Sequence, residues 1–362
     1  MIRLEARPQP SKLMSLASPL LALALTVLIG VVLFVVLGKD PLRSLSMFFV
    51  EPLKNAYALS ELSVKATPLI LIALGLAVCF RSNVWNIGAE GQYILGALFA
   101  GWVAMQAGPS TAWLGRGIVV PILLAGVLGG LLWAAIVALL RDRFNANEIL
   151  VSLMLVYVAE QLLGWLVYGP WKDPAGYNFP QTITFLAETK IPRLVTGLRA
   201  HIGVLIALAA VAVLWAFLFR TYRGFALQVG GLAPAAARYA GFSSRAALWT
   251  SLCISGGMAG LAGGLEAAGP LGQLTPHVPA GYGFAAIIVA YVGRLHPVGI
   301  VLSGILMSMF YIGGELAQSR LGLSKSLTGV FQGLLLFTLL ACDTLILYRL
   351  RLRQALAVKR EA

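Results

Sequence analysis

The chain has 362 residues, of which 59% are hydrophobic, only 11% are charged and 39 are glycine, with a formal net charge of +13. About a quarter of the residues of an ordinary soluble domain are charged, so a soluble enzyme, a disordered chain and a secreted disulfide scaffold are excluded. The apolar residues come in long unbroken runs rather than the alternating strands of an outer-membrane barrel, which leaves an all-α integral membrane protein.

Residues 1–13 are basic, with Arg3, Arg7 and Lys12, and precede the first apolar run, 14–38. That run is too long for the apolar core of a signal peptide and no A-x-A-like site follows directly, so it reads as a retained helix. A crossing needs about 20 residues. On that basis about ten transmembrane helices are expected, over 14–38, 67–80, 92–107, 118–140, 149–168, 201–219, 246–268, 283–293, 299–314 and 327–347. Several are short or discontinuous. The eighth would extend only about 16 Å as a helix, and short glycine-interrupted apolar segments are how broken helices around a transport pathway look in a sequence.

Residues 14–347 thus form one transmembrane domain, with outer segments 39–66 and 169–200 as caps. With the N-terminus inside, the inner loops carry most of the 27 Lys+Arg, which fits the positive-inside rule rather than a nucleic-acid footprint. An even span count puts both termini in the cytoplasm, including the basic segment 348–362. Cys79, Cys253 and Cys342 sit in or beside apolar runs and read as small core residues.

The first unusual stretch runs from Arg81 to Tyr93. It packs Asn83, Asn86, Glu90 and Gln92 among Gly88 and Gly91, between two short spans. At membrane depth such groups need protein or water as partners; the stretch is therefore either the lining of an aqueous path or a turn capped by amides. Ser152 and Tyr157 are further polar groups near the expected path.

The second stretch follows Leu232. Pro234-Ala-Ala-Ala-Arg-Tyr-Ala-Gly241 opens on a proline suited to a first helical turn and closes on a glycine suited to the position just past the end. A helix this short gains from a partner surface; as a plain connector it would have none. The third is the 255–266 segment, where Gly256, Gly260 and Gly264 share one helical face and favour close packing. Glu266 ends it. Glu90, Glu160, Glu266 and Glu315 are acids within apolar runs and so functional candidates, at least two of which are expected to serve structure alone. Asp343 reads as structural.

No phosphate-binding loop, H-E-x-x-H pair or G-x-S-x-G elbow occurs. The chain is not expected to be an enzyme or to bind a cofactor or metal, and ATP-driven uptake would need ATP on a separate subunit.

Asn86-Ile-Gly-Ala-Glu-Gly-Gln92 resembles the signature of ABC-importer permeases of the branched-chain amino acid and simple-sugar class, in the branch served by nucleoside-binding lipoproteins. The segments starting at Asn147, Gly169 and Pro180, the loop from Gly230 to Gly241 and the segment from Gly281 to Ala290 are similar to that branch's later landmarks, in order. Gly293-Arg-Leu-His-Pro297 departs from the Gly-Gly loop of many sugar-type relatives.

The resemblance implies nucleoside uptake by alternating access in a bacterial-type plasma membrane, without nucleic acid. It implies as partners an ATP-binding cassette subunit, a second permease in a heterodimer of which this is the longer chain, and a substrate-binding lipoprotein. A substrate pathway is expected at Asn83, Asn86, Glu90, Gln92, Ser152, Tyr157 and Glu266. Coupling to the ATPase is expected at Leu232, Pro234, Ala236, Ala237, Arg238, Tyr239 and Gly241. The alternatives are a simple-sugar permease of the same class, an ion- or proton-coupled carrier using Glu90 or Glu266, and an integral-membrane enzyme using Glu90 with Arg81.

Overall fold

A computed structural model describes residues 2–9, 11–324 and 326–352. Thirteen α-helices and two short strands form within them: β1 (Ile2–Ala6), α1 (Lys12–Val36), α2 (Pro41–Phe49), α3 (Ala56–Arg81), α4 (Ala89–Met105), α5 (Val119–Phe144), α6 (Glu148–Tyr168), α7 (Gly203–Arg220), α8 (Tyr222–Leu232), α9 (Pro234–Tyr239), α10 (Ser244–Glu266), α11 (Tyr282–Val292), α12 (Pro297–Leu321), α13 (Ser326–Leu347) and β2 (Tyr348–Leu352). Eight of the helices are long and apolar enough to cross a membrane. The shorter α4 and α11 are the two interrupted ones.

Two expectations are corrected. The second span is not short: α3 has 26 residues and starts at Ala56, behind an Asn55 cap. Its N-terminal half carries Ser60, Glu61, Ser63 and Lys65, which reads as loop, yet the hydroxyls of Ser60, Ser63 and Thr67 donate to carbonyls three or four residues back. Polar side chains bonded to their own helix do not stop it. With α2 capped by Asp40, the expected outer loop 39–66 is therefore mostly helical. The second correction concerns the chain ends. Ile2–Ala6 and Tyr348–Leu352 pair as antiparallel strands, as the period-two alternation of Tyr348-Arg-Leu-Arg-Leu352 allows. Residues 353–362 of the expected C-terminal segment, and residues 1 and 10 of the N-terminal one, lie outside the described residues.

The chain divides into two compact units. The first draws on 1–50 and 313–362. Here α1 and α13 run antiparallel, joined by Ser18 donating to Asp343 (2.5 Å) and by the Thr26 and Thr338 hydroxyls at 2.9 Å. Phe34, Phe48 and Phe331 form a ring cluster with centroids 5.0–6.1 Å apart. Beyond the helices, the β1–β2 pair and the Glu5–Arg349 ion pair (3.1 Å) hold both ends of the described chain on one face.

The second unit covers 51–312. Its axis is α10, packed on α3, α4 and α5. A Cβ at Gly96, Gly130, Gly256 or Gly260 would enter the backbone of a facing helix, so the small-residue face of α10 is a packing surface, as its four-residue spacing predicts. Helix α3 is buried almost throughout, whereas α6 and α7 present Leu150, Met154, Trp165, Leu205 and Val213 outward. In lipid that outward apolar face is solvated and the buried helix is the one that must bury its polar groups in protein.

Between α6 and α7 the segment expected on the outside carries no long helix, and His201 closes it. Its Nδ1 accepts from the Gly203 N–H (3.1 Å) and the ring is only 4% exposed. Burial first, and then the charge of Arg199, push its pKa down to about 4. A histidine held neutral in the fold contributes stability that is complete above its ordinary pKa near 6.5 and is lost as pH falls toward 4. Acidification over that window should cost on the order of 3 kcal/mol. The check is the thermal midpoint of the solubilised protein at pH 7.5 and 4.5, where His201→Gln should flatten the difference.

Candidate functional site: a buried junction between two interrupted helices

Helix α3 ends at Arg81, and the chain turns at Asn83, which adopts a left-handed φ of 55°. It then runs back alongside α10. Cys79 donates its S–H to the Ser251 carbonyl (3.2 Å), while Asn86 donates to the Ser255 hydroxyl (3.0 Å), a turn farther along α10. Ser255 lies about 16 Å up α10 from Ser244 at 1.5 Å per residue. Residues 82–88 thus climb without helix, and α4 begins partway up the bundle. Its 17 residues rise about 25 Å.

The climb is possible because its polar groups are paired. Asn86 and Gln92 are buried, and their amides bond reciprocally, Asn86 Nδ2 to Gln92 Oε1 (2.9 Å) and Gln92 Nε2 to Asn86 Oδ1 (3.1 Å). The same Asn86 oxygen accepts from the Gly88 N–H (3.1 Å), and the buried Ser152 hydroxyl accepts from the Ile87 N–H (3.2 Å) and donates to the Ile149 carbonyl. Amides with both ends engaged avoid the cost of unpaired buried polar groups.

Glu90 follows, 1% exposed, in the first turn of α4. Its two oxygens accept from the backbone N–H groups of Gly281 (2.9 Å) and Gly283 (2.5 Å) at the start of α11. The first N–H groups of a helix have no partner within it and carry its positive dipole end; here the carboxylate of another broken helix supplies the acceptor. Position 283 must be glycine, because a Cβ there would come within 2.6 Å of the Glu90 Cα. From this meeting point α11 runs 11 residues, about 16 Å, to a turn where the Leu295 carbonyl accepts from Arg81 Nε (2.8 Å). Arg81 also donates to Gln228 of α8 (2.8 Å) and lies 5.0 Å from the Phe219 ring of α7. Two helices shorter than a full span therefore meet by their N-termini in the interior, and one arginine ties the far end of α11 to the α7–α8 corner.

Of the predicted pathway residues, Asn86, Glu90, Gln92 and Ser152 come together at this junction. Asn83 stands apart, lining a cavity of about 410 Å³ with Arg141, Asp142, Glu148 and Arg245; there Arg245 pairs with Asp142 (2.6 Å) and Arg141 with Glu148 (3.3 Å). Tyr157 is 56% exposed on α6. Glu266 closes α10, nearly buried, just before a π-helical turn at Ala267–Leu271.

Among the predicted coupling residues, α9 spans Pro234–Tyr239 as its punctuation predicts, and Gly241 past its end has φ +80°. Leu232, Pro234, Ala236, Arg238 and Tyr239 are exposed, and only Ala237 turns inward. Among the described residues no cluster of His, Cys, Asp and Glu is arranged to hold a metal.

Sequence reasoning missed the α11 side of the junction. Gly281 and Gly283 contribute backbone donors, which no side-chain motif announces. Tyr282 between them packs edge-on to Tyr93 (5.9 Å) and against Tyr311 (5.3 Å), with Lys65 of α3 6.0 Å above its ring.

Two interrupted helices meeting at a buried junction, in a chain whose described residues include eight helices of spanning length, have the build of a multi-pass membrane permease. The chain belongs to the family of branched-chain amino acid transport system permease components, whose family model matches residues 58–340. It is 33% identical over 361 residues to the glucose ABC transporter permease protein of Haloferax volcanii, covering 96% of this chain and 93% of that one. It is 30% identical over 310 residues to the guanosine ABC transporter permease protein of Bacillus subtilis (83% and 86% covered), and 25% identical over 304 residues to a nucleoside ABC transporter permease protein of Lactococcus lactis (82% of each). No solved structure matches the chain.

Proposed function

We propose that this ABC-importer permease carries nucleosides by alternating access, with its two termini in the cytoplasm. It would pair with a second permease, take substrate from an extracytoplasmic binding lipoprotein, and be driven by ATP bound to a separate cassette subunit. The observation that carries the coupling role is α9. Leu232, two residues before it, is 87% exposed and Tyr239, its last residue, 96%, and large apolar groups left outside the lipid-facing helices fit a partner surface. The chain belongs to an importer family and has no phosphate loop of its own, which supports an ATPase as that partner.

Substrate class rests on the guanosine and nucleoside relatives together with the Asn86–Gln92 signature. A nucleoside is uncharged, and amides, hydroxyls and aromatic rings suit it. The glucose relative favours a second reading, a simple sugar. A proton-coupled carrier using Glu90 is disfavoured because both Glu90 oxygens are engaged by backbone donors.

The test joins this chain to its second permease, ATPase and binding protein in liposomes and compares uptake of labelled nucleosides and glucose. Arg238→Glu and Ala236→Glu, both on the exposed face of α9, should insert normally yet lower uptake per ATP hydrolysed about tenfold, since a misplaced charge at an interface costs one or more kcal/mol. Unchanged uptake in both variants would remove α9 from the coupling path.

A further inference from the structure

The signature segment explains how α4 and α11 are joined but leaves the neighbouring tyrosines unused. Tyr93 sits one turn past Glu90, fully buried, and its hydroxyl has no hydrogen-bond partner among the described residues. A buried phenol without a partner costs stability, and native interiors pair nearly all such groups. Phenylalanine would fill the same space without that cost, so the hydroxyl calls for a use other than packing.

Its surroundings indicate one. Tyr93 meets the edge of Tyr282, Tyr282 meets Tyr311, and Lys65 stands over the Tyr282 ring. Tyr282 is buried, whereas Tyr311 and Lys65 are half-buried, so the cluster grades from interior toward the surface. Tyr311 fixes its own ring by donating to the Ala280 carbonyl (3.2 Å), in the non-helical stretch that leads into α11. Three of its members thus sit on or beside the two helices that are interrupted, where a small shift of α11 relative to α4 would part the Tyr93–Tyr282 contact.

We propose that Tyr282 and Tyr311 form a stacking platform for the flat heterocyclic base of a nucleoside during its passage, and that the Tyr93 hydroxyl gives or accepts a hydrogen bond to the same ligand. Every base has a π-face, so stacking on tyrosine holds it without demanding one sequence of donors. The platform suits a carrier whose binding protein does the selecting. This proposal rests on the nucleoside reading given above, and the experiment separates the two.

The full importer in liposomes, with its binding protein, is assayed with labelled guanosine and, in parallel, labelled glucose. Tyr93→Phe should raise KM for guanosine about tenfold, the size of one hydrogen bond, with a thermal midpoint unchanged or higher, because no bond within the chain is lost. A purely structural hydroxyl would lower the midpoint and leave KM unchanged. Tyr282→Leu should also weaken guanosine uptake about tenfold, while Tyr282→Phe, which keeps the ring, should stay close to wild type; this pair covers the case in which the leucine variant folds poorly. If wild-type importer carries guanosine and both Tyr93→Phe and Tyr282→Leu carry it with wild-type KM, the platform is overturned and the nucleoside reading stands. If wild-type importer carries glucose and no nucleoside, the nucleoside reading is overturned and the base platform with it.

Discussion

Glu90→Ala should lower the thermal midpoint of the protein on the order of 10 °C and abolish uptake. The carboxylate receives the N–H groups of Gly281 and Gly283, and at 1% exposure no solvent can replace it. Each orphaned donor costs about 1–3 kcal/mol, and the favourable placement of a negative charge at the α11 N-terminus is lost as well. Glu90→Gln is the sharper probe. Its amide oxygen can accept from one of the two glycines, but its NH₂ group then confronts the other N–H, so an intermediate loss is expected. Differential scanning fluorimetry on the purified variants, read beside uptake, checks both. A midpoint within about 2 °C of wild type for the alanine variant would show that α11 needs no acceptor from α4 and would leave Glu90 open to a direct part in transport.

The same residue shows how far the sequence is legible. Glu90 stands out as an acid among glycines, and that much is visible in Asn86-Ile-Gly-Ala-Glu-Gly-Gln92. The identity of its partners is not, because they are main-chain N–H groups almost two hundred positions away that carry no side-chain signature. The α9 helix is legible in full, since proline and glycine fix its ends locally and its six residues depend on nothing distant. Helix α3 is legible only in its apolar half. Ser60, Ser63 and Lys65 mimic a loop by composition, and the hydroxyl-to-carbonyl bonds that keep them helical form only once the helix exists. Asn83 and Tyr157 are polar groups close in sequence to the junction, but the turn at 83 and the outward face of α6 carry them away from it.

Gly260→Leu should prevent the second unit from packing, and even Gly260→Ala should be strongly destabilising, because this glycine has backbone rather than side chains against it. A Cβ there would lie 2.8 Å from the Gly130 nitrogen and 2.9 Å from its Cα, and closer still to the Gly126 carbonyl oxygen. Backbone cannot rotate aside as a side chain can, so α5 must withdraw from α10. Overpacking of a well-packed interior typically costs about 1–3 kcal/mol, and here the separation would also loosen Gly96 of α4, whose own missing Cβ is what admits Gly260. The control lies three residues earlier on the same helix. A Cβ at Gly257 would meet only Val127 Cγ1 at 3.5 Å, an ordinary contact, and alanine there gains up to about 1 kcal/mol of helix propensity. Gly257→Ala should therefore hold or raise the thermal midpoint while Gly260→Ala lowers it. Equal midpoints for the two would mean that α5 and α10 are not held at the separation seen here. The α4 backbone at Tyr93 and Gly96 packs against Gly263 and Gly260 of α10, one to two turns from Glu90, so loss of that packing should reach the Glu90 junction: uptake in Gly260→Ala should fall further than the amount of inserted protein does.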